Sequence, residues 1–128
     1  MALPSAGCND QAMRTVLIVD DHASFRRTAR ALLEAEGFTV VGEAQDGRTG
    51  LEQIESLRPD IVLLDIYLPD MDGFDVVKEL PANGEAPEVI LTSSRDGSDF
   101  GSLVAKSGAR GFVAKAELSG GRLAALLE

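Results

Sequence analysis

Three aspartates carry the chemistry open to this chain. Asp65 closes Ile61-Val62-Leu63-Leu64, an apolar run too short for a helix, which reads as a strand buried on both faces. A carboxylate is poorly tolerated within such a strand, and burying it unpaired is costly. It belongs at the carboxyl end, where open α/β sheets place their sites. Asp20 and Asp21 end a second buried run, Thr15-Val16-Leu17-Ile18-Val19. If both strands are parallel in one sheet, the three carboxylates converge at one edge. Like charges so close repel and raise one another's pKa unless a cation offsets them. A hard ion such as Mg2+ suits a small carboxylate cluster that leaves positions open for water and phosphate.

The elements that must position these groups are legible along the chain. Residues 1–12 are small and polar and read as a disordered leader, so the folded domain spans 13–128. Phe25, Ala29, Leu32 and Leu33 recur at helical spacing, with Ser24 placed to cap the helix and Gly37 to end it. Arg26, Arg27 and Arg30 on that helix read as a solvated face. Phe38 to Ala44 is a second strand. Asp46-Gly47 starts a helix carrying Leu51, Ile54 and Leu57, stopped by Pro59. After Asp65, Leu68-Pro69-Asp70-Met71-Asp72-Gly73 is turn chemistry, in which Pro fixes one φ and Gly is free to take a positive one. Phe74, Val77 and Leu80 mark a short helix ended by Pro81. Val89 to Thr92 is the fourth strand, and Ser94 to Asp99 a polar loop. A Gly101-containing, frayed helix with Phe100, Leu103 and Val104 follows. Gly111 to Ala114 is the fifth strand and leads into Lys115; Ser119 caps a last helix burying Leu123, Leu126 and Leu127. Strict alternation implies parallel strands with helices on both faces. The expected fold is a doubly wound, flavodoxin-like five-stranded parallel sheet of order 2-1-3-4-5, with the first and third strands adjacent at the switch point.

Several motifs, in order, give the chain its family likeness: Val19-Asp20-Asp21; Leu64-Asp65 with Leu68-Pro69-Asp70-Met71-Asp72-Gly73; Leu91-Thr92-Ser93; and Gly108-Ala109-Arg110-Gly111-Phe112-Val113-Ala114-Lys115. From about Met13 to Glu128 the sequence resembles the receiver domain of two-component response regulators, in its single-domain, chemotaxis-regulator-like form. The resemblance implies that Asp65 takes a phosphoryl group from a phosphohistidine on a sensor histidine kinase or phosphotransfer protein. It implies Mg2+ held by Asp20, Asp21, Asp65 and the main-chain carbonyl of Tyr67, with Lys115 reaching the phosphoryl group as a point charge. A hydroxyl on the fourth strand should bond that group. Counting back from Gly108 without gaps favours Ser93, the Leu91-Thr92 pairing favours Thr92, and Ser93 is preferred. Phe112 stands where the family carries a rotating aromatic, usually tyrosine, and can swing inward without a hydroxyl to satisfy. Lys115 precedes Ala116 where many relatives have proline, so the usual cis bond there is not expected. The implied output surface runs from about Asp99 to Leu127, toward a partner the sequence does not name.

Composition narrows the alternatives. The length, 128 residues, suits one domain, and a 45% hydrophobic content suits a proper core. A net charge of −9 argues against direct nucleic-acid binding. Cys8 has no partner for an internal disulfide, which fits a reducing cytoplasm, and no stretch has the length of a membrane span. The single histidine, His22, reads as an exposed loop residue. The chain is expected to be a monomer or weak dimer and, beyond self-phosphotransfer and autodephosphorylation, no enzyme. Three rival readings share some features. A flavodoxin-like cofactor protein would need a phosphate cradle where Asp20-Asp21-His22 stands. An aspartyl-phosphate phosphatase would need a second acid at Tyr67. A degenerate receiver would act only as a docking module.

Overall fold

Strands buried on both faces build the molecule from the sheet outward. A computed structural model describes residues 14–80, 86–94 and 101–127. The proposed leader, Pro81, and the segment from Arg95 to Phe100 lie outside the described residues. Five strands, β1 (Thr15–Val19), β2 (Thr39–Ala44), β3 (Ile61–Asp65), β4 (Glu88–Ser93) and β5 (Gly111–Ala114), form one sheet of order β2-β1-β3-β4-β5. Every pairing is parallel. The helices are α1 (Ala23–Ala35), α2 (Gly47–Leu57), α3 (Gly73–Lys78), α4 (Gly101–Ser107) and α5 (Gly120–Leu127). The expected doubly wound sheet and its order are therefore observed.

Successive strand residues point to opposite faces, so each buried strand feeds two cores. Val16, Ile18, Ile61, Leu63, Ile90 and Val113 pack with Ala29 and Leu33 of α1 and Leu123 of α5. Leu17, Val19, Val62, Leu64, Val89 and Leu91 pack on the other face with Ile54 of α2 and Val76 of α3. β3 is buried along its whole length, because sheet neighbours and both helical layers cover it.

Local signals explain most boundaries. Gly37 takes φ 100 and closes α1, and the N–H of Phe38 reaches back to the carbonyl of Leu33. Asp46 caps α2 by accepting from the Thr49 N–H at 2.8 Å, and Ser119 caps α5 by accepting from the Arg122 N–H at 3.0 Å. Two expectations fail. Ser24 lies inside the first turn of α1; the cap is His22, whose side chain makes no capping bond. Gly73 does not use a positive φ. It is required because a Cβ there would lie 2.8 Å from the main-chain oxygen of Asp65, so α3 approaches the end of β3 more closely than any side chain allows.

Candidate functional site

The register carries the aspartates to one edge. Val19 pairs with Leu64, so Asp20 stands just beyond the end of β1 and Asp65 is the last residue of neighbouring β3. The Asp20 N–H still bonds the Ala44 carbonyl at 2.9 Å, holding it at the sheet edge. Its side chain is 1% exposed and that of Asp65 3%, whereas that of Asp21 is 36% exposed. Lys115, the first residue of a 3-10 turn after β5, places Nζ 2.7 Å from Asp20 Oδ2 and 3.4 Å from Asp65 Oδ2. The same ammonium sits 4.6 Å from the centre of the Phe25 ring, whose face favours a cation. No cis peptide occurs among the described residues, so the bond after Lys115 is trans, as Ala116 in place of proline leads one to expect.

One ammonium does not balance three carboxylates. Burial, and then the neighbouring charge of Asp20, push the Asp65 carboxyl above its ordinary range, against the pull of Lys115 and of the Tyr67 N–H. That N–H donates to Asp65 Oδ1 at 3.2 Å. Asp20 Oδ2 is buried and receives no hydrogen bond, because its contact with Lys115 is an ion pair outside hydrogen-bonding geometry. A buried carboxylate oxygen without a donor, among further oxygens, fits a hard divalent cation. Ligand atoms of Asp20, Asp21, His22 and Asp65 all lie within 4.8 Å of one another.

His22 is the exposed loop residue expected, with its side chain 62% exposed, yet Nδ1 lies 3.0 Å from Asp20 Oδ1 and 3.1 Å from Asp21 Oδ1, and its main-chain N–H donates to Asp20 Oδ1 at 2.8 Å. The adjacency Asp20-Asp21-His22 was its only sequence signal. Arg26 corrects the reading of a solvated helix face. It is not solvated but donates to the Asp20 main-chain oxygen at 2.6 Å and to Glu43 at 3.0 Å, fixing the β1 end against β2. Arg30 joins the same carboxylate at 2.8 Å, and the two guanidiniums, Arg30 first, hold Glu43 below the usual carboxylate range. Asp70 anchors the loop after β3 by accepting from the N–H groups of Gly47 and Arg48 at the start of α2, which lowers its pKa.

The two hydroxyls of β4 part company. Thr92 pairs with Asp65 and Val113, placing it on their face; its hydroxyl is buried with no hydrogen-bond partner among the described residues. Ser93 pairs with Ala114 and, by alternation, shares the face of Leu91 and Phe112. Phe112 is half-buried against the core on that side. Tyr67, whose carbonyl was expected to be a ligand, is exposed in the loop beyond Asp65 and bridges to Asp72. A cavity of about 650 Å3 lined by Leu51, Ile54, Arg58, Pro59, Asp60 and Leu80 lies at the opposite edge and touches none of the site residues.

A family model described as the response regulator receiver domain matches residues 16–128. Chemotaxis protein CheY of Thermotoga maritima is 35% identical over 102 residues, covering 80% of this chain and 85% of that protein. A protein-glutamate methylesterase/protein-glutamine glutaminase of Symbiobacterium thermophilum is 42% identical over 102 residues, covering 78% of this chain but 28% of its own length. Among solved structures, the signal receiver domain of the response regulator NarL from Mycobacterium tuberculosis is similar, with TM-score 0.77 and 36% identity, covering 89% of this chain and 93% of that one. The chain spans about half or less of the length of several other curated relatives it matches. No helix among the described residues is long and apolar enough to cross a membrane.

Proposed function

Because this chain belongs to the response regulator receiver domain family, we propose that it accepts a phosphoryl group on Asp65 and relays the event to a partner. A carboxylate oxygen of Asp65 attacks the phosphorus of a phosphohistidine. The P–N bond breaks, and the histidine of the kinase or phosphotransfer protein leaves with the electron pair. The single observation that carries this reading is Asp65 itself: a strand-end carboxylate, 3% exposed, facing one ammonium and a second buried aspartate.

Asp20, Asp21, Asp65 and the main-chain carbonyl of Tyr67 would hold Mg2+. Held there, the ion would supply positive charge to the equatorial phosphoryl oxygens, which would let an anionic nucleophile approach. Lys115, already within 3.4 Å of Asp65, bonds another phosphoryl oxygen. Against the sequence preference for Ser93, Thr92 is the hydroxyl that follows the phosphoryl group in this reading, since it pairs with Asp65, shares its face and has a buried hydroxyl with no partner among the described residues. Movement of Thr92 toward the site then opens space that Phe112 fills, and the change reaches the surface of α4, β5 and α5. The chain has no other catalytic role in this reading. Its acidic charge of −9 favours a protein partner over nucleic acid.

Mass measurement before and after acetyl phosphate with Mg2+ tests the proposal. One added phosphoryl group, absent in Asp65→Asn, is the expected result. An unchanged gain in Asp65→Asn would place the acceptor elsewhere, and no gain in the parent would favour a docking module. Continued turnover of added phosphoesters would favour a phosphatase.

A further inference from the structure

The imidazole of His22 reaches over the acidic cluster from its exposed position. Nδ1 lies 3.0 and 3.1 Å from carboxylate oxygens of Asp20 and Asp21, and 3.4 Å from the Lys115 ammonium. Asp20 Oδ2, in the same buried carboxylate, is ion-paired to Lys115 at 2.7 Å but accepts no hydrogen bond among the described residues. One ligand atom each of Asp20, Asp21, His22 and Asp65 lies within 4.8 Å of the others, so a divalent cation among them would meet a ring nitrogen as well as carboxylate oxygens.

We propose that His22 is a nitrogen ligand of the site's cation, giving the acidic cluster a selective advantage for borderline first-row ions such as Co2+ over Mg2+. The inference rests on the metal-binding part of the function proposed above and adds to it a ligand type and a preference. All-oxygen sites suit Mg2+, which dehydrates reluctantly and keeps several waters. An imidazole adds little for Mg2+ but much for ions further along the first row, whose affinity for nitrogen donors is higher. With its side chain 62% exposed, His22 can adjust its ring without disturbing the core.

Calorimetry with Co2+ and with Mg2+ on the parent, His22→Ala and Asp21→Ala tests this, with Mn2+-loaded protein examined by pulsed electron paramagnetic resonance. His22→Ala should weaken Co2+ binding about tenfold or more, in the range seen when one supporting metal-site group is removed, while Mg2+ affinity stays within about twofold. The parent should show coupling of the Mn2+ electron spin to a directly bound nitrogen, and His22→Ala should lose it. Asp21→Ala should weaken both ions. Mg2+ binding that is intact while Co2+ affinity and the nitrogen coupling are indifferent to His22→Ala overturns the His22 assignment alone. Failure of the parent to bind Mg2+ or Co2+, or binding undiminished in Asp21→Ala, removes the acidic site and this inference together. Because His22 is exposed and its side chain caps nothing, His22→Ala should fold as the parent does, and circular dichroism checks that directly.

Discussion

β3 is bounded by two aspartates, Asp60 before its first residue and Asp65 at its last, and their surroundings make them opposites. Asp60 is exposed and saturated with donors: its Oδ2 accepts from the N–H of Thr15 at 2.9 Å and from the Thr15 hydroxyl at 3.2 Å. Its own N–H returns a bond to that hydroxyl at 2.9 Å, and its carbonyl accepts from Glu88. The result is a clasp joining the starts of β1, β3 and β4. Asp65 is buried, receives one long main-chain bond, and shares its one nearby cation with Asp20. A carboxylate given water and donors holds strands together. The same group deprived of both carries excess free energy that binding a cation or a phosphoryl group can release.

That contrast can be broken from either end. Asp65→Asn has the largest effect: phosphoryl acceptance is lost entirely, while the metal-free protein at neutral pH becomes more stable by about 0.5–2 kcal/mol. The sign follows from the raised pKa of Asp65. A carboxyl whose folded pKa lies above its unfolded value contributes stability that is full below the unfolded pKa and is lost as pH rises through the folded one. Calorimetric unfolding should therefore show the advantage of Asp65→Asn fading as pH falls into the carboxylate range. An advantage that persists in acid would mean that burial of charge is not its cause.

Removing the counter-charge comes next. Lys115→Ala leaves two buried carboxylates facing each other and should cost about 3 kcal/mol in chelator-treated protein. Saturating Mg2+ should restore most of that loss, since a divalent ion supplies the missing charge. Denaturant titrations with and without Mg2+ measure both, and a loss that Mg2+ leaves untouched would make Lys115 a packing residue only.

At the other end, Asp60→Ala should cost about 1–2 kcal/mol through the lost bonds to Thr15. It should leave phosphoryl acceptance from acetyl phosphate as in the parent. Impaired acceptance would mean that the two ends of β3 are coupled and the contrast is too sharp.

The smallest effect is at Glu43, which ties α1 to β2 beside the site. Its pKa is lowered, first by Arg30 and then by Arg26, so its stabilisation is present above the unfolded carboxylate pKa and is lost as pH falls through the folded value. Because the cluster is partly exposed, Glu43→Gln should cost only about 0.5–1 kcal/mol at neutral pH. Urea midpoints for variant and parent should converge in acid.

The sequence by itself determined the layered fold and the carboxylate edge. Runs such as Leu17-Ile18-Val19 and Val62-Leu63-Leu64 can be buried on both faces only in the middle of a parallel sheet. Aspartates at the ends of two such runs are then forced to one edge. Ser119, Gly37 and Asp46 were legible for the same reason: capping and turning are decided within a few residues. What only the tertiary structure decided depends on register and on contacts across the chain. Whether Ser93 or Thr92 faces Phe112 turns on a single-residue shift, which exchanges the two faces of a strand. The partners of His22 and Arg26 include Lys115 and Glu43, distant in sequence, so residue type alone placed His22 in an exposed loop without its contacts and suggested a solvated helix face for Arg26. The need for Gly73 comes from the approach of α3 to the end of β3, a distance that exists only once both have packed.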